Sequence, residues 1–345
     1  MSVTLADVAR HAGVSLATAS RVLNGSKRSV NDKLRLRVIE AAHTLHYVPN
    51  ANAQALVNER SAIIGVIIPS VSDPYFAEII HGIQQAASNA QRLVMVCDVQ
   101  GDPTRELEYL RLLHAQRVEA IILAGSGILD TQEVSLLETQ IRAFTAAGGR
   151  IAAIGRHIID VPMVLPDNVG GARALANYLA DLGHRNIGII NGPTLLTASH
   201  DRLWAFREAL AERGIQLDSN AIVQGDFSRP SGISATHQLL ESAPNISAIF
   251  ALNDLMAIGA LYVLRMRGIS VPQQISVVGY DDIPQVLDVT PALTTVHVPL
   301  DVLGLHAFDL ALNATTAASQ VIHVPTRLII RASAAVAAQG KVKAS

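Results

Sequence analysis

Few residues of this 345-residue chain are spaced for covalent chemistry. Gly-Ser-Gly at 125–127 follows an apolar run and opens like a phosphate-cradling turn, but the third glycine of GxGxxG would fall at Asp130. Neither a GxxxxGK[ST] loop nor a GxSxG elbow occurs. His43 and His46 stand three apart, yet no Glu or Cys cluster joins them to make a metal site. The single cysteine, Cys97, excludes a disulfide within the chain. No catalytic constellation, metal or cofactor is expected, so the chain does not read as an enzyme. What remains is charge. Residues 1–60 hold eight Lys and Arg against four Asp and Glu, a net of +4, and the rest holds 19 against 25, a net of −6. A basic head on an acidic body suits a polyanion partner for the head.

The elements that must carry that head are short. In TLADVARHAGVSLATASRVLNG, residues 4–25, Leu5, Val8, Ala9 and Ala12 make a helical stripe. Thr4 precedes it with Asp7 three residues on, a capping box. Gly13-Val14 joins it to a second helix that opens at Ser15 and buries Ala19, Val22 and Leu23. Helices of two turns do not persist alone in water. A third, capped by Asn31 and carrying Leu34, Val38, Ala42 and Leu45, completes a helix-turn-helix unit that Pro49 stops. Polar NANAQALVNER at 50–60 reads as a hinge.

From residue 62 short apolar runs alternate with amphipathic helical stretches. The runs lie at 62–68, 92–99, 118–125 and 150–155. After Asp167 the pattern restarts, with helices at 168–182, 202–213, 230–242 and 254–267 and strands at 186–190, 221–225, 248–252 and 276–280. Strands separated by helices of this length imply parallel βαβ units, and two blocks imply two doubly wound subdomains. The start MSVTLADVAR lacks a signal-peptide pattern and no run of about 18 apolar residues spans a membrane, so a reducing cytoplasm is expected.

The opening stretch followed by HYVPNANAQAL resembles the headpiece and hinge of the LacI/GalR family of bacterial transcriptional repressors. Matching phrases run in order along the body: IIGVIIPSVSDPYFAEIIHGI, RVEAIILAG, LGHRNIGIINGP, ALNDLMAIGAL, VPQQISVVGYDDIP and TPALTTVHVP. The resemblance implies an α/β fold. A helix-turn-helix headpiece (1–49) and a hinge (50–60) precede a body (61–333) like a periplasmic sugar-binding protein. Its subdomains would take 61–162 with 295–322 and 163–294 with 323–333, leaving a tail at 334–345. It implies a regulator that binds near-palindromic double-stranded operator DNA under control of a small effector. The tail AAVAAQGKVKAS has no leucine heptad, so a homodimer is expected, held by surfaces that include the helix after Asp73 and that from Leu255 to Arg267. A solute-binding protein of a transporter is the rival, and residues 1–60 count against it.

By the same resemblance, Ser15 to Leu23 is the recognition helix, with Leu16, Ala17 and Arg21 in base-reading positions. Leu16 and Ala17 offer only apolar contact, so Arg21 carries the polar readout. Thr4, Ser15 and Asn24 would hold phosphates, with Thr18 and Asn50 in the same interface. Leu56 aligns with a hinge leucine wedged into the minor groove. The effector residues would be Tyr75, Phe76, Arg202, Phe227, Asn253 and Asp281, all at strand ends or the loops after them, where this architecture holds ligands. Arg202 is read as beginning its helix, and Arg202 and Asp281 as standing on opposite sides of the cleft. Asp254 is read as a helix cap and left out. An Arg, an Asn and an Asp beneath aromatic faces suit hydroxyl groups, so a sugar or sugar derivative is the expected effector. A purine or nucleoside is disfavoured, because Leu196 and Ala198 stand where purine-binding relatives carry polar residues. Arg156 would either meet an anionic effector or pair on the surface.

Overall fold

The computed structural model describes residues 3–23, 30–48, 61–313 and 320–337. Asn24, the whole of the expected hinge with Asn50 and Leu56, and most of the tail lie outside the described residues. The three N-terminal helices belong to one compact unit and the α/β body to another.

In the first unit, α1 (Leu5–Ala12) carries the expected capping box. Asp7 N–H donates to Thr4 Oγ1 at 3.3 Å and Thr4 N–H donates to Asp7 Oδ2 at 3.0 Å. Gly13 ends the helix with a left-handed φ of 62°, a conformation only glycine adopts freely. Ser15 caps α2 (Leu16–Leu23), its Oγ accepting from Thr18 N–H at 3.1 Å. Arg37 of α3 (Asp32–Thr44) donates to the Ala12 carbonyl at 2.6 Å, placing a cation on the negative end of α1. Val8, Ala9, Ala12, Ala19, Val38, Ala41 and Ala42 form the shared core that no one of these helices could make alone.

The body opens with β1 (Ser61–Ile68), α4 (Pro74–Asn89), β2 (Leu93–Asp98), α5 (Pro103–Ala115), β3 (Val118–Ala124), α6 (Thr131–Ala146), β4 (Arg150–Ile154) and β5 (Met163–Pro166). It continues with α7 (Asn168–Asp181), β6 (Ile187–Asn191), α8 (Thr197–Glu212), β7 (Ile222–Gln224), α9 (Arg229–Ser242), β8 (Ala248–Ala251), α10 (Asp254–Met266) and β9 (Ser276–Val278). Last come β10 (Thr295–His297), α11 (Leu300–Asn313), β11 (Val321–Val324) and β12 (Arg327–Ile329). One sheet has the order β11-β5-β4-β3-β1-β2 and a second β7-β6-β8-β9, with β10 and β12 paired antiparallel. The recorded pairings within both large sheets are parallel. Both sheets are covered by helices, which is why their strands read as unbroken apolar runs rather than alternating ones.

Three expectations shift. The subdomain boundary near 162 falls one strand early, because Met163–Pro166 pairs with β4 and β11 in the first sheet. MVLP is too short to announce itself, and its partner lies at 321–324. The helix expected from 202 begins at Thr197, so Arg202 sits in its second turn; Leu196 offers no side-chain cap to mark the true start. The cap of α10 is Asn253, whose Oδ1 accepts from Met256 N–H at 3.0 Å, not Asp254. Asp254 is fully buried instead, accepting from Ile283 N–H at 2.9 Å and Thr295 Oγ1 at 2.6 Å.

Two helix pairs meet glycine against backbone. A Cβ at Gly82 of α4 would overlap the Asp301 carbonyl, and one at Gly304 of α11 would overlap that of Ile79. Gly232 of α9 and Gly259 of α10 meet in the same way. Among the described residues no helix is long and apolar enough to cross a membrane.

Candidate functional site

The exposed side of α2 presents Ser15, Leu16, Ala17 and Arg21, with Thr18 half-buried beside them. Thr4 is exposed at the start of α1. The Thr4 and Ser15 hydroxyls are engaged as caps. Arg21 has no hydrogen bond or ion pair among the described residues, so its guanidinium donors are uncommitted. Its neighbours Leu16 and Ala17 add apolar surface, and this mixed, projecting face is what a recognition helix needs. Asn24, Asn50 and Leu56, also expected on DNA, lie outside the described residues.

In the body, a cleft of about 1100 Å³ is lined by all six expected effector residues: Tyr75, Phe76, Arg202, Phe227, Asn253 and Asp281. Asp73 caps α4 by accepting from Tyr75 N–H at 2.9 Å, which sets Tyr75 and Phe76 on the first turn, edge to face at 5.0 Å. Phe227 holds a left-handed φ of 71°, and its carbonyl accepts from Asn253 Nδ2 at 2.8 Å. Asn253 is thus committed on both sides of its amide, as cap and as tie to the Phe227 loop. Gly192 leaves room for the Phe227 ring against the backbone.

Arg202 and Asp281 do not face one another across the cleft as expected. They form a buried ion pair, Nη2 to Oδ1 at 2.9 Å. Two features bring them together: Arg202 lies a turn deeper in α8 than expected, and Asp281 takes a φ of 109°, an uncommon backbone setting for a residue with a side chain. Arg202 also donates to Asn168 Oδ1 at 2.9 Å and to the Leu252 carbonyl at 2.7 Å, while its guanidinium stacks 3.8 Å from the Tyr280 ring centroid. Burial works against the Arg202 cation, but Asp281 and the two tyrosines outweigh it and keep it charged. Burial raises the Asp281 pKa, and Arg202 pulls it back. Asp281 Oδ2 accepts nothing among the described residues, and Arg202 keeps N–H donors beyond the three it uses. The floor of the cleft therefore offers a donor and an acceptor side by side under aromatic rings.

Arg156 pairs twice with Asp201, Nε to Oδ2 at 2.9 Å and Nη2 to Oδ1 at 2.6 Å. This answers the choice left open for it, since its fork is filled by a carboxylate of its own chain. Beside it, Leu129 N–H donates to the Leu195 carbonyl at 2.8 Å and Thr197 N–H to that of Gly127 at 2.9 Å. Asn168, Tyr280 and this clasp are missing from the sequence reading. Asn168, which opens α7 just after β5, and Tyr280 within VVGYDD had a signal in their positions after strands; the clasp had none.

Comparison with known proteins fits this geometry. Residues 61–332 match the family of periplasmic binding proteins and sugar binding domains of the LacI family, and residues 4–50 match the bacterial regulatory proteins of the lacI family. The HTH-type transcriptional regulator DegA of Bacillus subtilis (strain 168) is 34% identical over 96% of this chain and 98% of its own. The Lac repressor dimer bound to operator and the anti-inducer ONPF superposes with a TM-score of 0.83 at 29% identity, covering 97% of this chain and all of that one. The complex of the transcriptional regulator CelR with cellobiose gives 0.71 at 31% identity, over 96% and 99% of the two chains. A three-helix headpiece with an exposed face on α2, a cleft between two parallel sheets, and matches over both parts lead to one conclusion: the chain belongs to the LacI family and is a DNA-binding transcriptional repressor, not an enzyme.

Proposed function

We propose that this repressor binds a small polyhydroxylated effector, a sugar or sugar derivative, in the cleft lined by Tyr75, Phe76, Arg202, Phe227, Asn253 and Asp281. The carrying observation is the Arg202–Asp281 pair. It leaves a donor and a carboxylate oxygen uncommitted at the cleft floor, the complement of adjacent hydroxyl groups. The similarity to CelR, solved with cellobiose, supports the same class. The Arg156–Asp201 pair argues against a phosphate or acid at that rim.

Operator reading is assigned to Leu16, Ala17 and Arg21, with Thr4, Ser15, Thr18, Asn24 and Asn50 on the backbone and Leu56 in the minor groove. The headpiece takes residues 1–49, the hinge 50–60 and the body 61–333, its subdomains meeting after Pro166. The working unit is a homodimer on a near-palindromic duplex. The outer stripe of α10, with Leu255, Ile258, Tyr262 and Met266 incompletely buried, and the exposed Leu93, Met95 and Val96 of β2 supply the apolar surface for it. The test is a panel of pentoses, hexoses and disaccharides, read first as a rise in melting temperature. A ligand at about 100 times its Kd adds about 2.7 kcal/mol to a protein that binds it only when folded. The same sugar must change affinity for the operator duplex. A panel that moves neither quantity overturns the reading.

A further inference from the structure

The cleft continues into a side cavity of about 330 Å³ between α5 and α6. Its lining includes Glu106, Asp130, Glu133 and His157, and no Lys or Arg. The chain has no lysine at all between residues 34 and 340. Asp130 is engaged as the cap of α6, accepting from the Gln132 and Glu133 N–H groups at 2.9 and 3.0 Å. His157 Nδ1 lies 3.1 Å from the Gly155 carbonyl and must donate to it; burial lowers the ring's pKa and keeps it neutral, which leaves Nε2 as an acceptor. Glu106 and Glu133 line both the side cavity and the main cleft, so they stand where the two join. Neither carboxyl has a hydrogen bond or ion pair among the described residues. Glu106 is half-buried, its side chain part of the wall where cleft and cavity join. Burial first, and then the charge of Glu133, push its pKa up to about 7. The cavity therefore gathers two unpartnered carboxyl groups and a ring acceptor with no Lys or Arg in its lining to match them, and a positively charged guest would complete it.

We propose that Glu106 and Glu133 form a cation subsite of the effector cleft, and that it takes the protonated amine of a hydroxylated ligand, an amino sugar in chemical class. An ammonium group fits better than a metal ion. It needs acceptors for three N–H donors, whereas no group of three or more His, Cys, Asp or Glu among the described residues is arranged to hold a metal. The inference rests on the cleft being the effector site, and the test separates the two.

Full-length protein is titrated calorimetrically with D-glucosamine, D-galactosamine, D-glucose, D-galactose, the two N-acetylated amino sugars, and Mg²⁺ or Ca²⁺ alone. The expected result is that an amine form binds at least tenfold more tightly than both its hydroxyl and its N-acetyl counterparts. Glu106→Gln and Glu133→Gln, each first shown to melt cooperatively, should erase that preference and leave the neutral sugars unchanged. Neutral sugars that bind as well as the amines, with or without the substitutions, overturn the subsite and leave the effector cleft standing. Binding of no sugar of either kind overturns both. Divalent cations that bind with the same dependence on Glu106 and Glu133, without the amines, make it a metal site and overturn the amine assignment.

Discussion

Arg202 and Asp281 are each other's counter-ion before any ligand arrives. Asp281→Ala leaves an unpaired buried cation, Arg202→Ala leaves a buried carboxyl that must take up a proton and loses the other bonds of the guanidinium, and each should cost about 3–5 kcal/mol in urea unfolding. Loss of effector response in those variants would be hard to separate from weakened folding. Asp281→Asn, which keeps an acceptor for Arg202, should retain operator affinity and lose the response. In the headpiece, Arg21→Ala should cost about 1–3 kcal/mol per half-site and relax preference at one base pair. An equal loss on every duplex would make Arg21 a phosphate contact. Glu106 gives a pH signature. Its pKa rises from 4.5 to about 7 on folding, so the folded state favours the protonated form. That contribution is full below about 4.5 and is lost as pH rises through about 7. Glu106→Gln should therefore match wild type near pH 4 and gain on it up to about pH 7, then level off on the order of 1–3 kcal/mol ahead. A flat difference across urea melts at those pH values would show that the carboxyl is not enclosed in solution. The six cleft residues were legible because the family resemblance and the habit of this architecture, which holds ligands at strand ends, point to the same loops. Their pairing was not, since it depends on the backbone at Asp281 and on where α8 starts. Glu106 and Glu133 were illegible for another reason: an acid on a helix reads as solvated surface until the facing helix is placed.

Helices and strands with their own signal were the legible part of the fold. Thr4, Ser15 and Asn31 mark three helix starts, and the runs at β1, β3 and β4 are apolar enough to stand out. What escaped was structure fixed by distant partners. β5 exists because β4 and β11 flank it, and α8 begins without a cap. The glycine crossings escaped too, because a glycine inside a helical pattern reads only as a propensity cost of about 1 kcal/mol. In three dimensions the sign reverses. Gly82→Ala would drive a methyl group into the Asp301 carbonyl, which cannot swing aside as a side chain would. The substitution should destabilise the body by about 1–3 kcal/mol or more, and Gly304→Ala similarly. If Gly82→Ala raised the melting temperature, the close approach of α4 and α11 would be wrong.

Taken as one object, the repressor has an edge it cannot leave bare. β2 closes one side of the first sheet, and Leu93 is 71% exposed there, with Met95 and Val96 beside it. An apolar edge strand invites pairing with whatever chain is near, and a second copy is the productive partner. Leu93→Glu should shift the dimer toward monomer in sedimentation at micromolar concentration and weaken operator binding, since half-sites would then be held singly. An unchanged dimer would move the interface elsewhere. The far side of that sheet has a different consequence, one of timing. The second sheet is contiguous in sequence, from β6 to β9, and its strands emerge from the ribosome together. The first sheet is not: β5 is made well before its neighbour β11, with all four strands of the second sheet made between them. At about 5–20 residues per second the interval is on the order of ten seconds. By the end of that interval a nascent chain carries a finished headpiece and a finished second sheet, but a first sheet still open beside β5. Such a chain already has the means to touch DNA while the strand that flanks β5 is still unmade, so a hold on DNA can precede a settled response to an effector as the protein is synthesised.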